Sequence, residues 1–364
     1  MDMMPLLSWF WENHRDLPWR KDRTPYSTWI SEAMLQQTRV ATVLDYYPRF
    51  LKRFPDPSSL AKAKEDEVFK LWEGLGYYSR ARNLMKGAAY ICEHFEGKLP
   101  ETPDLLIHIP GIGPYMAGAI ASQAFDVPVP AVDGNCIRIY CRLHALPLVP
   151  SEKSTYNEIY SRVEKDIPKD NPGDFNEALM DLGSLICTPK SPRCSICPLA
   201  DSCSANLLGK QEDFPLKKPK KETPTEEHTI LKIYIGNKIL VRKRPDTGLL
   251  AGLFELIDLP GTLSHSEVEN WLCENLLSDD SAFAEESDSA VSADIRVIGN
   301  ARHIFSHLKW NMLGYEIHID SKAGSSADTE AVKKIAAKTK KLGKLVGPKE
   351  YASLAFASAI RAYR

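Results

Sequence analysis

Apolar residues recur at intervals of three and four along residues 1 to about 208, and the period changes to two in the last third of the chain. The helical spacing predicts helices over Pro5 to Asn13, Trp29 to Phe54, Asp66 to Trp72, Arg80 to Phe95, Pro114 to Phe125 and Phe175 to Cys187. Pro55, Pro57, Gly74, Gly76, Gly97, Pro100 and Gly173 punctuate these runs. Further on, Thr229 to Ile235, Lys238 to Arg242, Ala293 to Ile298 and Leu313 to Ile319 are short β-branched runs that read as strands. Helical patterns lie near Ser266 to Leu277 and Gly347 to Tyr363.

Between the two regimes, Gly209 to Glu227 is rich in Lys, Pro and Glu around Lys217-Lys218-Pro219-Lys220-Lys221. It has little to bury and reads as an extended linker. The chain therefore reads as multi-domain: an all-helical domain over 1–208, a linker over 209–227 and a smaller α/β domain over 228–364. Glu274 to Asp294 holds seven acids and no base, the composition of a solvated loop. Lys333 to Lys344 is a lysine run, read as a solvated face. The formal net charge of -2 gives no bulk sign of nucleic acid, so DNA binding has to rest on local patches. No apolar run reaches membrane-spanning length, and a cytoplasmic protein is expected.

Cysteine usage changes the picture most. Cys187, Cys194, Cys197 and Cys203 follow the spacing Cys-x6-Cys-x2-Cys-x5-Cys. Four thiolates so close in sequence can converge on one iron–sulfur cube. A structural zinc site is the competing reading, although zinc favours two Cys-x2-Cys knuckles and only one is present. Disulfides are disfavoured, because no secretory signal is read at the start and cytosolic thiols stay reduced. Cys92, Cys136, Cys141 and Cys273 read as small buried hydrophobes. The loop Thr188 to Arg193 carries Lys190, Arg193 and two prolines, a stiff basic tip suited to phosphates or simply to solvent.

Ile109-Pro110-Gly111-Ile112-Gly113, ahead of Pro114 to Ile120, has two glycines bracketing one aliphatic residue between helices. Such a hairpin turns its backbone amides outward, where they can meet phosphate at the next helix start. This hairpin, Val132-Asp133-Gly134-Asn135 and the cysteine quartet resemble the endonuclease III superfamily of DNA glycosylases. Leu17 to Arg20, Ser31 to Thr38 and Gly74 to Asn83 resemble its MutY-type branch, the adenine DNA glycosylases. The likeness is dense through residue 208 and sparser beyond, at Arg242 to Pro245 and Phe305-Ser306-His307. It implies a helix-hairpin-helix glycosylase domain with the hairpin at about 105–125 and a 4Fe–4S cluster over 187–203, followed by a Nudix-like domain.

Each candidate residue carries two readings. Asp133 before a Gly-Asn turn is placed to cap a helix; the resemblance makes it the anion that stabilises positive charge on the sugar, with Asn135 beside it. Glu32 is a carboxylate among Ile30, Ala33, Met34 and Leu35. Burial there would keep it protonated, as a general acid requires, and the resemblance assigns it protonation of adenine N7. Tyr115 stands where bifunctional relatives carry a lysine, and a phenol forms no imine. The resemblance therefore implies a monofunctional enzyme that uses water.

It further implies Gln37 and Tyr77 as wedges for base flipping, although Tyr77 or Tyr78 could equally be core. Trp19, Arg20, Leu35 and Glu177 are implied to line an adenine pocket, and Gly111, Gly113, Lys190 and Arg193 to contact DNA. Phe305, Ser306 and His307 are implied to recognise 8-oxoguanine, the alternative being a plain β-turn with Phe305 buried. The stretch after Phe254-Glu255-Leu256 lacks the Arg-Glu-x-x-Glu-Glu helix that Nudix hydrolases use for magnesium, so hydrolysis by that domain is not expected. The implied substrate is double-stranded DNA with A:8-oxoguanine or A:G mispairs, bound by a monomer. Rival readings are a lyase for oxidised pyrimidines and a non-catalytic DNA-binding module.

Overall fold

The computed structural model of the chain describes residues 1–218, 222–277, 291–321 and 333–364. Most of the acidic run, and residues 219–221 of the linker lysines, lie outside the described residues. The chain forms two compact units, Met1–Glu65 with Ser79–Lys220, and Asp66–Tyr78 with Lys221–Arg364.

The first unit is helical. Its elements are α1 (Met4–Asn13), α2 (Pro18–Lys21), α3 (Pro25–Leu35), α4 (Val40–Arg53) and α5 (Pro57–Ala61); α6 (Glu65–Trp72) belongs to the second unit from Asp66 onward. The first unit resumes with α7 (Ser79–His94), α8 (Pro103–Leu106), α9 (Pro114–Phe125), α10 (Gly134–Leu143), α11 (Lys153–Asp166), α12 (Pro172–Leu185) and α13 (Ser204–Leu207). Leu6, Phe10, Ile139, Tyr140, Phe175, Leu179 and Leu182 form a core where α1, α10 and α12 meet.

Proline at N1 and a Thr24–Ser27 capping box start α3, whose residues Tyr26 to Met34 are all buried. A helix buried on every side sits at the centre of its fold. The single helix expected over Trp29 to Phe54 is two, α3 and α4, because the chain turns at Gln36 to Arg39 with Gln37 at φ 56°. The turn is stabilised from outside the segment. Arg80, on α7, donates to the carbonyls of Ala33 at 2.9 Å, Met34 at 2.8 Å and Gln36 at 2.6 Å, capping the end of α3.

Residues 209 to 218 are not an extended linker. A 3-10 turn at Gln211–Asp213 precedes Phe214, which packs on the first core, and Leu216 N–H donates to Leu148 O at 2.9 Å. Phe214 supplies apolar surface that the lysines near it conceal in a composition count.

The second unit is a mixed sheet with strands in the order β3-β2-β1-β6-β5: β1 (Thr225–Ile235), β2 (Lys238–Lys243), β3 (Phe254–Glu255), β4 (Ile257–Pro260), β5 (Val291–Ile304), β6 (Lys309–Ser321) and β7 (Lys344–Val346). β4 pairs with β1 and β7 with β2. β1 and β6 run parallel from Thr225–Lys309 to Ile235–Ile319. β5 and β6 form a long antiparallel hairpin, bulged between Val297 and Gly299. α14 (His265–Asn275) packs Val268 and Leu272 against Leu231, Ile233 and Ile317 of the sheet. Gly347 to Tyr363, expected as one helix, is a short helix Pro348–Ser353, an extended stretch and a 3-10 turn Ser358–Tyr363. Phe254 takes the extended stretch as a pairing partner, donating to Ala355 O at 2.9 Å and accepting from Ala357 N–H at 3.2 Å.

Candidate active site

Helices α2, α3, α9, α10 and α12 enclose a cavity of about 520 Å³, a size suited to a small-molecule or nucleoside group. Nine of the residues picked out in the sequence line it: Trp19, Arg20, Glu32, Leu35, Gln37, Tyr115, Asp133, Asn135 and Glu177. They come from five separate segments, and packing alone brings them together.

Glu32 lies in the last turn of α3, only 5% exposed. The Tyr115 hydroxyl donates to its Oε2 at 2.6 Å and also sits 3.8 Å from the Met180 sulfur. Burial pushes the Glu32 carboxyl up to about 7; the Tyr115 bond opposes the shift, and the nearby charges of Glu177 and Asp133 add to it. The Tyr115 phenol is pushed well above its ordinary value, first by burial and then by Glu32 and Asp133, so it stays a neutral donor.

Asp133 is the N-cap of α10. One carboxylate oxygen accepts from Cys136 N–H and the other from the Asn135 amide, both at 2.7 Å. Burial raises its carboxyl, while those two bonds and the Arg138 charge oppose the rise. Capping and anion readings are therefore compatible: the bonds that make Asp133 a cap are the ones that steady its charge at a helix N-terminus. Arg138 donates to Asn135 Oδ1 and to the carbonyls of Gly183 and Cys187, each at 2.8 Å. A Cβ on Gly183 would meet Asn135 Cβ at 2.5 Å, so this close approach of α12 to α10 requires glycine there.

The far wall is an ion network that the sequence reading missed. Asp181, fully buried on α12, is bonded by Arg15 and Arg20, and Arg20 lies 3.2 Å from Glu177. Arg23 bridges Glu177 and Asp174 at 2.7 Å each. Burial acts to raise Asp181, but the Arg20 and Arg15 bonds outweigh it and hold the carboxyl below its usual range. Its signal was present in the chain, since Glu177 and Asp181 are two acids four residues apart in an otherwise apolar stretch.

Other sequence-picked residues lie away from this cavity. Gly111, at φ +88°, would place a Cβ 2.7 Å from Asn83 Cβ, and Gly113 caps α9. Tyr77 is exposed at φ 47°, whereas Tyr78 is buried against Phe69; of the two tyrosines only Tyr77 presents its ring outward. Lys190 is exposed on the cysteine loop, and the exposed Arg193 bonds the Leu185 carbonyl. Phe305, Ser306 and His307 form the turn joining β5 to β6, where Phe305 N–H donates to Leu308 O at 2.8 Å. Phe305 is half-buried, while Ser306 and His307 are exposed.

The four cysteines are half-buried and face one another, each of Cys197 and Cys203 lying within electrostatic reach of the other thiols. Burial pushes the Cys197 thiol up to about 11, so a bound cation is needed to hold these sulfurs as thiolates. Among the described residues no three Cys, His, Asp or Glu side chains close on a single metal-ion position. Arg142 secures the loop, donating to Cys187 Sγ at 3.3 Å and to the Thr188 and Pro189 carbonyls.

Comparison with known proteins agrees. Residues 30–165 match the HhH-GPD superfamily of base excision DNA repair proteins, 187–203 the iron–sulfur binding domain of endonuclease III, and 207–364 the NUDIX domain. The mouse adenine DNA glycosylase is 35% identical over 88% of this chain and 71% of its own length. The chain belongs to the adenine DNA glycosylase family. The Arabidopsis thaliana adenine DNA glycosylase is 36% identical over 84% of this chain and 55% of its own. A thermostable thymine-DNA glycosylase of known structure shares the helical fold, with TM-score 0.51 and 26% identity over 56% of this chain and 94% of that one. As an adenine DNA glycosylase family member the chain is a base-excision repair enzyme hydrolysing N-glycosyl bonds, and it carries a 4Fe–4S cluster. Two of the three acids of α14 are engaged locally, Glu267 in its own helix cap and Glu269 near His265. No described helix is long and apolar enough to cross a membrane.

Proposed function

We propose that the chain binds duplex DNA as a monomer and excises adenine standing opposite 8-oxoguanine or guanine, using water as the nucleophile. One observation carries the chemistry: a buried carboxyl at about 7, hydrogen-bonded to a neutral phenol, shares a nucleoside-sized cavity with a second carboxylate held by a helix cap. Two carboxyls whose surroundings differ in this way divide acid and anion roles. Glu32, half protonated near neutrality, donates to adenine N7 and makes the base a leaving group. Asp133, with Asn135, stabilises the positive charge that grows on the sugar. Glu32, once deprotonated, orients the water that completes hydrolysis.

Trp19 and Leu35 give the flipped base apolar walls, and Arg20 and Glu177 give its edge polar partners. Gln37 and Tyr77 fill the space the base leaves. The amides at Gly111 and Gly113, with Lys190 and Arg193, meet phosphates; the cluster holds the loop that carries the two cations. Oxidised guanine differs from guanine in presenting an N–H at position 7. The exposed Ser306, on a turn anchored by Phe305 and flanked by His307, offers an acceptor for it. The proposed place of repair is the cytoplasm, at the nucleoid where the source is a bacterium.

Single-turnover assays on A:8-oxoguanine, A:G and thymine-glycol duplexes, with and without alkali, test the reading. The expected result is loss of adenine from both mispairs, faster opposite 8-oxoguanine, with strand breaks only after alkali. Excision of thymine glycol with spontaneous strand cleavage would overturn it.

A further inference from the structure

Beneath the Phe305–Leu308 turn stands a column of side chains that the excision chemistry does not use. Phe305 meets Trp310 edge to face, ring centroids 5.2 Å apart. Trp310, 3% exposed, lies on His228 at 4.2 Å and donates its indole N–H to Glu226 Oε2 at 3.1 Å. His228 Nδ1 is 2.8 Å from Asp258 Oδ1, and its Nε2 is 3.5 Å from the same Glu226 oxygen. Arg244 stands behind Asp258 at 3.8 Å and bonds Glu255. The groups facing His228 are thus Glu226 on its own strand β1, Asp258 on β4 and Trp310 on β6, with Arg244 beyond Asp258.

We infer that His228 is a positioning residue for the Phe305–Ser306–His307 turn, its charged ring fixing the Trp310 face on which Phe305 rests. This rests on the proposed role of that turn in reading 8-oxoguanine. Nε2 makes no hydrogen bond at that distance, and the ring is drawn to both carboxylates only when both of its nitrogens carry protons. The neutral ring keeps one N–H, for Asp258, and then turns a lone pair toward Glu226. Burial acts to lower the His228 pKa, but Asp258 and then Glu226 outweigh it, so the value lies above the ordinary 6.5. The anchoring is therefore complete below 6.5 and is lost as pH rises through the raised value.

The readout is the ratio of single-turnover excision rates on A:8-oxoguanine and A:G, followed from about pH 6 to about pH 8.5. The Glu32 titration enters both rates and cancels in the ratio. In the unmodified enzyme the ratio falls with rising pH, and His307→Ala retains that slope. In His228→Phe the ratio drops roughly threefold to tenfold at low pH, the span of one aromatic contact, and becomes flat with pH. A melting curve and circular dichroism show whether the variant is folded; if it is not, Asp258→Asn keeps the ring, removes its anchor and is expected to flatten the profile likewise. An unchanged ratio and slope in a folded His228→Phe or Asp258→Asn overturns the inference, as does a slope that vanishes in His307→Ala. If the double variant Ser306→Ala with His307→Ala leaves the ratio intact, the reading of the turn itself fails. If that double variant lowers it while His228→Phe does not, only the role of His228 fails.

Discussion

The cavity around Glu32 and the turn at Phe305 solve opposite problems with opposite means. In the cavity, acids are taken out of water and held by protein partners: Asp133 by a backbone N–H and an amide, Asp181 by two guanidinium groups, Glu32 by a phenol. At the turn, Ser306 and His307 are exposed, and only the Phe305 anchor is packed. Bond breaking needs charges fixed in place and shielded from solvent, where they act strongly on a developing cation. Choosing between two partner bases needs a polar group reachable by an intact duplex. The difference implies that cavity substitutions change rate on every substrate, whereas turn substitutions change preference.

The strongest break is Asp133→Asn. It is expected to slow single-turnover excision by on the order of a hundredfold or more, ~3 kcal/mol, with mismatch binding kept within about tenfold. Excision at the unmodified rate would remove Asp133 from the chemistry. Glu32→Gln is expected to lose most activity as well, because an amide gives no proton to N7. The parent rate should fall as pH rises through about 7, and the remnant in the variant should lack that limb.

Stability sharpens the same point. Glu32 has its folded value raised from 4.5 to about 7, so it favours the fold below 4.5 and that support is lost by about 7. The gap corresponds to about 3 kcal/mol. Glu32→Gln is accordingly expected to melt at a higher temperature than the parent at pH 8, by several degrees. A lower melting temperature there would show that the carboxyl is not strained by burial.

Lys190→Ala with Arg193→Ala supplies the control for both regions. Affinity for the two mispairs should fall together, and the slope of log affinity against log salt should flatten by about one to two. An unchanged slope would take this loop off the DNA. The smallest effect belongs to Ser306→Ala with His307→Ala: a preference for A:8-oxoguanine over A:G reduced by about fivefold to tenfold, on the basis of ~1 kcal/mol per hydrogen bond. A change in rate on both substrates alike, with preference intact, would erase the distinction between the two regions.

Helices whose periodicity is complete within one segment were legible from the chain, as α1, α6, α7 and α9 illustrate. α10 and α11 were not, since α10 places Arg138 and Arg142 among its apolar positions and α11 buries only Thr155, Ile159 and Val163 in a largely polar segment. The break between α3 and α4 was hidden for another reason: Arg80, over forty residues away, satisfies the carbonyls where the helix stops. The hairpin glycines, the cysteine quartet and Glu32 could be picked out one by one, because each is a residue type out of keeping with its neighbours. Arg15 and Arg138 escaped that test. Their significance lies in partners contributed by other helices.

The sequence by itself determined which groups are available: a carboxyl in an apolar helix, a carboxylate at a helix start, a phenol in place of an amine, four thiols within one short loop. Local periodicity and residue chemistry suffice for that, since each signal is contained in a few consecutive positions. Tertiary structure alone decided their state. Glu32 is raised to about 7, and Asp133 steadied at its cap, because α3, α9, α10 and α12 close around them and replace water with a few chosen partners. Burial is a property of the whole packed unit, and no single segment carries it.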